Sequence, residues 1–411
     1  MNSIGIDVSK GKSTVAVVRP FGEVVREPFD VAHTSKELSE LVGYILSLEG
    51  ESRVLLESTG VYSAPIATVL CEAGIYVCVV NAQLAHGYSN FTIRHASTDK
   101  IDSLKLARLC LDKWTMLERY TPQNELRKTL KIYNRQLSEY SKIKTMLKNN
   151  LISLLDQAFP GVNELFTSPA RETDGHEKWI DFVGHFWHSV CVSELSQRTF
   201  AKHYEKWCRK NDYNFSEGKA DEIYLFASEH FVTLPKNDFT KTLIQQAVMQ
   251  LNSLCEIVSA LKTQMNHVAS QLPEYVTVVA MYGVGRVTAS QLMAEIGDVR
   301  RYPKRTSLAR FAGIEPPEKQ SGTYNQRSRR ISKQGSPHLR KSLFMVMTCI
   351  LQKQNADEPI FQFLDRKRTE GKPYKVYMIA GANKFLRIYY ARVMECLRVT
   401  QQPCVDNSVA A

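Results

Sequence analysis

Four carboxylic acids in the first quarter of the chain stand where local structure would bring them together. Asp7 lies in a run whose apolar residues alternate with small or polar ones, which is the period of a β-strand. Glu57 closes a second apolar run, and Asp99 and Asp102 are three residues apart, so that a helix presents both on one face. Such a set cannot all ionise without a counter-charge, and hard divalent cations are held by oxygen-rich clusters. The residues predict a two-metal phosphoryl-transfer site that uses Mg²⁺ (or Mn²⁺).

The elements around these acids form a recognisable order. Alternation and turn residues predict three short strands within residues 3–29, a helix from Thr34, a strand ending at Glu57, a helix, a strand over 75–80 and further helices. The order βββαβα followed by helix fits the ribonuclease-H-like fold. We therefore expect an α/β domain over residues 1–120, in which strand ends carry acids toward one site.

Two long segments with apolar residues at heptad spacing follow, at 121–158 and 239–272. Their similar length predicts a coiled-coil stalk, formed either as an antiparallel hairpin or between the chains of a dimer. The range between them, 159–238, contains Trp179, Trp187 and Trp207, and we expect a small folded insert of unassigned role. Residues 273–400 are predicted to form a mainly helical C-terminal domain.

The C-terminal part of the chain is strongly basic. The whole chain has a net charge of +11, and residues 300–341 hold twelve Lys or Arg against only Glu315 and Glu318. A surplus of this size, with Ser, Gln and Gly between the charges, favours contact with a nucleic-acid backbone over a solvated face. Gly283 and Gly285 precede an apolar helix, so this helix-hairpin-helix-like turn would expose backbone N–H groups to phosphate, although Gly-x-Gly alone is a weak signal.

The cysteines and the apolar content of the chain indicate the compartment in which we expect the protein. Nine cysteines without a C-x-x-C pair, and no recognisable signal peptide at the first residues, lead us to expect a reduced, cytoplasmic setting. No run of eighteen apolar residues occurs, so we expect no membrane partner.

The chain resembles the DEDD transposases of the insertion-sequence one-ten family, relatives of the pilin-gene invertase. The resemblance covers about residues 1–155 and 245–400 and lies in nine motifs that occur in the family's order: Gly5-Ile-Asp-Val-Ser-Lys10, Glu57-Ser-Thr-Gly60, Thr98-Asp-Lys-Ile-Asp102, Gly283-Val-Gly285, Ala294-Glu-Ile-Gly-Asp298, Phe311-Ala-Gly-Ile314, Ser321-Gly322, Ile331-Ser-Lys-Gln-Gly335 and Leu339-Arg-Lys341.

The resemblance implies a recombinase whose RuvC-like domain carries Asp7, Glu57, Asp99 and Asp102. It also implies a C-terminal nucleophilic serine, which by motif position is Ser321, and a structured guide RNA that pairs with the DNA of the element ends and of the target. Because the acids and the serine lie far apart along the chain, we expect composite sites in a homo-oligomer, either a dimer or a tetramer.

A serine nucleophile suits this chemistry because a phosphoserine ester conserves each broken phosphodiester. Basic residues near Ser321 would neutralise the phosphate in the transition state, and others further along would bind nucleic acid. The set comprises Arg327, Arg329, Arg330, Lys333, Arg340 and Lys341. Rival serines stand nearby, at Ser307, Ser328, Ser332 and Ser336.

Each motif has a simpler interpretation when taken alone. Glu57 is then a surface or capping residue, Asp99 a helix N-cap, and Ser321 a turn former. His185, His188 and Cys191 are spaced three residues apart. This spacing resembles that of metal ligands on a helix, but we interpret the three residues as part of a buried helix face. Tyr389 and Tyr390 lack the companions of a tyrosine recombinase and favour helix packing.

Three other functions remain open from the residues. A metal-dependent nuclease that resolves branched DNA would need the acids but not Ser321. The first strands also resemble the phosphate-binding strand pair of an actin-like ATPase. A non-catalytic nucleic-acid binder would need only the basic C-terminal half.

Overall fold

The computed structural model describes residues 1–82, 85, 88, 98–317, 320–321, 324–325 and 330–401, the backbone alone at 320–321, 324–325 and 401. The chain divides into two compact units, Met1–Gln123 and Asn124–Ala411.

The first unit is built on a five-stranded sheet in the order β3-β2-β1-β4-β5. Strands β1 to β3 form an antiparallel meander, whereas β4 pairs in parallel with β1, and β5 in parallel with β4. Parallel neighbours require a crossover, which the intervening helices provide. The expected α/β class is confirmed. The strands are β1 Asn2–Ser9, β2 Lys12–Val18, β3 Val24–Ala32, β4 Ser52–Glu57 and β5 Tyr76–Val80.

Helices cover both faces of this sheet. Helices α1, Ser35–Ser47, and α2, Ser63–Glu72, pack their apolar stripes against Ile4 and Ile6 of β1. Helix α3, Asp99–Asp112, lies on the other face, where Leu106 and Leu109 join a second core. Alternation along β1 therefore sends apolar side chains toward α1 and α2, and Ser3, Gly5 and Asp7 toward α3.

The second unit is organised by an antiparallel pair of long helices, α4, Glu125–Ala158, and α9, Asp238–Ser270. Between them lie α5 Lys178–His185, α6 Val190–Ser193, α7 Gln197–Lys210 and α8 Glu217–Glu229. These helices share an aromatic-rich core with Leu151 and Leu155 of α4. The opposite end of the pair, including Leu130 and Met265, belongs to a separate core formed with the C-terminal helices.

The C-terminal part of the second unit is helical, with one small hairpin. Its elements are α10 Tyr275–Val279, α11 Arg286–Ile296, α12 Arg305–Ala312, β6 Gln320–Ser321, β7 Tyr324–Asn325, α13 Pro337–Lys353, α14 Pro359–Thr369 and α15 Tyr374–Gln401. Within the described ranges no helix is long and apolar enough to span a membrane.

Candidate functional site: an acid cluster and a basic serine loop

Asp7 and Glu57 occupy equivalent positions at the ends of two adjacent parallel strands. Ile6 of β1 pairs with Leu56 of β4, and each acid is the next residue of its strand. Parallel strands end at the same edge of a sheet, so both carboxylates are presented there. This edge is where ligands bind in open α/β sheets.

Glycine allows α3 to lie directly on the strand that carries Asp7. A Cβ at Gly5 would lie 2.0 Å from the carbonyl oxygen of Ser103 and 2.3 Å from the amide nitrogen of Ala107, both in the backbone of α3. One step earlier on the same face, the buried Ser3 hydroxyl donates a 2.6 Å hydrogen bond to the carbonyl oxygen of Ala107. These two contacts fix the helix against β1 beside Asp7.

The docked helix brings the other two acids to the same place. Asp99 and Asp102 both lie in the first turn of α3. Thr98 is the N-cap, because its side chain accepts a hydrogen bond from the amide of Ile101. Asp99 is therefore not the capping residue. Both carboxylates also lie at the positive end of the helix dipole.

The pKa of Asp7 reflects the nearness of the other three acids. Burial raises the pKa of Asp7 from 3.8 to about 6, with further increases from the negative charges of Asp99, Asp102 and Glu57. The structure thus brings together all four acids, from two strands and one helix, closely enough for them to repel one another. A cation placed among them would relieve that repulsion.

Two lysines and a fifth acid adjoin the cluster, and no sequence motif pointed to any of them. Lys105 Nζ lies 2.9 Å from Asp102 Oδ1, and Lys12 Nζ lies 3.8 Å from Asp99 Oδ2. Lys12 also pairs with Asp30 of β3 at 3.1 Å, and Thr14 donates a 2.6 Å hydrogen bond to that same carboxylate. These hydrogen bonds from Thr14 and Lys12 lower the pKa of Asp30. Strand register would have pointed to Asp30, since Asp7 pairs with Thr14 and Thr14 with Asp30.

The donor set fits a hard divalent cation because it consists of carboxylate oxygens, which are the donors that such cations prefer. Among the residues described, however, no group of three or more His, Cys, Asp or Glu converges closely enough to hold a metal ion. Asp99 and Asp102 are paired with lysines instead. Loading of an ion would therefore require these side chains to turn toward Asp7.

The basic loop carries the predicted nucleophile on a short hairpin. The backbone of Ser321 lies in β6, where it pairs with Tyr324 of β7. Arg330 and Lys333 are exposed on the chain that leaves this hairpin. Gly322, Arg327, Ser328 and Arg329 lie outside the described residues.

The end of this loop is fastened to the last turn of α12. The amides of Lys333 and Ser336 donate to the carbonyl oxygens of Gly313, at 3.0 Å, and Phe311, at 3.1 Å. A Cβ at Gly335 would lie 2.2 Å from the Phe311 oxygen, so only glycine permits this approach. Lys333 itself has a φ of 56°, a left-handed conformation that is uncommon for a residue other than glycine.

Arg340 and Lys341, both predicted to bind nucleic acid, differ in their surroundings. Arg340 Nη1 donates to the carbonyl oxygens of Ala312, at 3.0 Å, and Gly335, at 3.2 Å, and so holds the loop to α12. Lys341 is exposed one residue further along α13.

The two glycines of the Gly283–Gly285 turn also differ. A Cβ at Gly283, which has a φ of +78°, would lie 2.5 Å from Cγ1 of Ile350, so this glycine permits close packing against α13. Gly285 precedes α11, has open space around its Cα, and makes no side-chain capping hydrogen bond. The first-turn amides of α11, the kind of group that suits phosphate, therefore follow Gly285.

Several rival residues have structural partners. Ser336 is the N-cap of α13 and donates a 2.6 Å hydrogen bond to the buried carboxylate of Glu295, while Ser332 Oγ accepts from the amide of Gln334. Tyr389 is fully buried, and the Tyr390 hydroxyl donates to the carbonyl oxygen of Tyr302, as helix packing predicts.

The His185, His188 and Cys191 pattern does not lie along one helix. Helix α5 ends at His185, and Cys191 belongs to the separate helix α6. Only His188 is deeply buried, where one ring nitrogen accepts from the amide of Val190 and the other lies 3.0 Å from the carbonyl oxygen of Leu234. The expected buried helix face is therefore reduced to His188 and to Cys191, which is partly buried against the aromatic-rich core.

Comparison with known proteins places this geometry in a family. A transposase family model named for DEDD and IS110 matches residues 4–160, and one described as "Transposase IS116/IS110/IS902 family" matches residues 277–361. The "Insertion element IS110 uncharacterized 43.6 kDa protein" of Streptomyces coelicolor is 20% identical over 95% of this chain and 94% of its own length. The "Pilin gene-inverting protein" of Moraxella bovis is 32% identical over 32% of this chain and 38% of its own length.

Among solved structures, RuvC of T. thermophilus in complex with a Holliday junction substrate aligns with 29% of this chain and 99% of its own chain. The identity is 13% and the TM-score is 0.22.

The protein is accordingly a transposase, an enzyme that cuts and rejoins DNA. The chain belongs to the IS110 family, whose two domain models match its residues 4–160 and 277–361.

Proposed function

We propose that this transposase exchanges DNA strands through a phosphoserine intermediate at Ser321, assisted by the acid cluster of Asp7, Glu57, Asp99 and Asp102. The observation that carries the proposal is the convergence of carboxylates from β1, β4 and α3 near Asp7, whose pKa is raised by burial and then by the negative charges of the other three acids. Perturbed titratable groups of this kind cluster at functional sites.

The covalent step balances without a high-energy cofactor. The Ser321 oxygen attacks the phosphorus and forms a P–O bond, the P–O bond to one deoxyribose breaks, and the proton of the serine passes to the departing sugar oxygen. Attack by the hydroxyl of a second DNA end reverses the step and releases serine. One phosphodiester is lost and one is made, so the exchange is nearly isoenergetic.

The four carboxylates are the residues that would hold Mg²⁺ or Mn²⁺. When bound, such ions stabilise charge on phosphoryl and leaving oxygens and favour ionisation of an attacking hydroxyl. Lys105 and Lys12 would release Asp102 and Asp99 as the ions load, because the stronger counter-charge displaces the weaker. Arg330 and Lys333, both exposed, would bind the phosphate of the DNA.

Substitution of the serine separates this mechanism from hydrolysis. We expect Ser321→Ala to abolish strand transfer and the protein–DNA adduct seen on a denaturing gel. Ser332→Ala is the matched control in the same loop and should retain both. Continued DNA cleavage by Ser321→Ala without an adduct would instead support a nuclease that uses water. Loss of the adduct in Ser332→Ala alone would reassign the nucleophile.

We also propose that a structured RNA guides the choice of DNA. The support is the basic surplus at 300–341, together with the lack of a base-reading motif in the sequence. RNA should co-purify with the protein, and ribonuclease treatment should remove strand transfer while leaving non-specific DNA binding. Undiminished strand transfer after complete removal of RNA would contradict the guide.

Finally, we propose that the acids and the serine acting on one phosphate come from different protomers of a homo-oligomer. Exposed apolar residues on the long helical pair, such as Ile143 and Met146, favour contact with another chain. A mixture of Asp7→Ala and Ser321→Ala proteins should then recover strand transfer that neither shows alone. No recovery in mixed oligomers would place both groups in one chain.

A further inference from the structure

Helix α7, in the insert between the two long helices, has one face that is almost wholly cationic. Its opposite face is buried through Phe200, Tyr204, Trp207 and Cys208. The five basic residues of the helix are all exposed: Arg198, Lys202, Lys206, Arg209 and Lys210. At 100° per residue these five positions fall within an arc of about 120°. We propose that this face binds the sugar-phosphate backbone of duplex DNA, at a surface separate from the site of strand exchange.

The charge of α7 is not a general property of the insert. Helix α7 has five basic residues and one acid, Glu205, whereas the rest of 159–238 has four basic residues and twelve acids. A subdomain that is acidic elsewhere therefore concentrates its positive charge on one helical face. Such a local concentration attracts a polyanion, while the surrounding acids repel it from the other faces.

The cations of this face are largely available. Arg209 pairs with Glu205 at 2.6 Å, and for the other four basic residues the described part of the chain shows no ion pair. The imidazole of His185, which adjoins the helix, has its pKa lowered by burial and then by the positive charges of Lys210 and His203. The positive field thus reaches beyond α7 itself.

The spacing of the cations suits a phosphate backbone. Arg198, Lys202 and Lys206 follow one another at four-residue intervals, a step of about 6 Å along the helix. From Arg198 to Lys210 the row is about 18 Å long. This corresponds to roughly five base pairs at 3.4 Å each. The exposed face also includes Thr199 and His203 but no apolar residue, and so lacks the anchors typical of protein interfaces.

The position of α7 indicates which DNA it meets. Its core includes Leu151 of α4, whereas Leu130 of the same helix belongs to the core shared with α11 and α13. Leu151 lies 21 positions after Leu130, a separation of about 30 Å along the helix. Duplex DNA bound to the C-terminal helices would have to continue about nine base pairs to reach α7. The proposed contact is with flanking DNA and carries no sequence information.

Salt-dependent binding tests the proposal. In the full chain, freed of co-purified nucleic acid, Arg198, Lys202 and Lys206 are each replaced with Gln. Fluorescence anisotropy measures the Kd for a 40-base-pair DNA duplex without element sequence and for an RNA duplex of the same length. We expect the DNA Kd to rise about ten-fold near 0.15 M salt, and the slope of log Kd against log salt to fall by about 2.7, or 0.9 per lost phosphate contact.

A control variant with the same loss of charge distinguishes the effect of the α7 face from a general loss of positive charge. Replacement of the exposed Lys36, Lys241 and Lys262 with Gln removes the same charge from other surfaces and should change the slope by less than half as much. Lys206→Gln alone should lower the slope by about 0.9. An unchanged slope in folded protein, an equal fall in the control, or weakened binding of the RNA duplex alone would each overturn the proposal.

Discussion

The acid cluster and the basic serine loop hold their residues in different ways. Asp7 and Glu57 lie on paired strands, and Asp99 and Asp102 on a helix that meets the strand backbone directly at Gly5. Ser321 lies on a two-residue strand, and its loop is fastened mainly at its far end, where Gly335 meets Phe311. In the acid cluster, two strands and a helix hold the carboxylates in place although their negative charges repel one another. The basic serine loop depends on a few backbone contacts.

The largest effect on stability should come from adding a side chain at Gly5. Gly5→Ala would place a Cβ 2.0 Å from a backbone oxygen of α3, and neither strand nor helix can move without breaking the sheet core. We expect a loss of about 3 kcal/mol or more in the free energy of unfolding of the first unit, measured by urea denaturation. Gly43→Ala, in an exposed helical position with open space, should be neutral or gain about 0.5–1 kcal/mol. An equal response of the two variants would contradict direct docking.

The matching change in the loop should affect activity more than stability. Gly335→Ala places a Cβ 2.2 Å from the Phe311 oxygen, but the loop end can shift without opening a core. We expect strand transfer to fall at least ten-fold, with a stability loss of about 2 kcal/mol. Gly218→Ala on α8, where a Cβ meets nothing within 4 Å, is the control. If Gly335→Ala destabilises the chain as much as Gly5→Ala does, the distinction between the two regions fails.

Asp7→Asn should show the repulsion in the acid cluster. The folded pKa of Asp7, about 6, exceeds its usual 3.8, so its contribution to stability is complete below pH 4 and is lost as the pH rises through 6. In the presence of a chelator, the free energy of unfolding of Asp7→Asn should therefore exceed that of the wild type by about 1–2 kcal/mol at pH 7, after allowance for solvent screening. At pH 4 the two values should differ little. Urea denaturation across this range measures the difference.

The same substitution should abolish strand transfer, and Mg²⁺ should stabilise the wild type more than the variant. A variant that is less stable than the wild type at pH 7 would show that Asp7 is held by favourable contacts instead.

The smallest effect concerns the hydrogen bond that accompanies Gly5. Ser3→Ala removes the donor to the Ala107 oxygen in a buried contact, and we expect a loss of about 1 kcal/mol. Ser39→Ala, on the exposed face of α1, should stay within about 0.5 kcal/mol of the wild type. Thermal or urea unfolding distinguishes them. A larger effect of Ser3→Ala than of Gly5→Ala would make the hydrogen bond, not the close approach, the main anchor of α3.

Local sequence predicted the elements well because their periods are set by nearby residues. The alternation of Ile4, Ile6 and Val8 predicted β1, and the spacing of Asp99 and Asp102 predicted a shared helical face. It did not predict that Lys12 and Asp30 adjoin the acids, since that contact depends on the register of three strands. Nor did it predict that Arg340 holds the loop, because its partners are backbone carbonyl oxygens, and every residue has one.

What the sequence alone determined was the family, because its motifs stand in the order of a transposase family, and it predicted which carboxylates, which serine and which basic stretch act. Hydrophobic periodicity and capping are local, so the strands and helices that carry these residues could also be predicted. The tertiary structure decided which side chains meet. The pairing of β1 with β4 and the packing of α3 on Gly5 gather the four acids, and the packing of the insert around Phe200 and Tyr204 leaves the basic face of α7 exposed. Both depend on contacts between residues far apart in the chain, for which local sequence contains no signal.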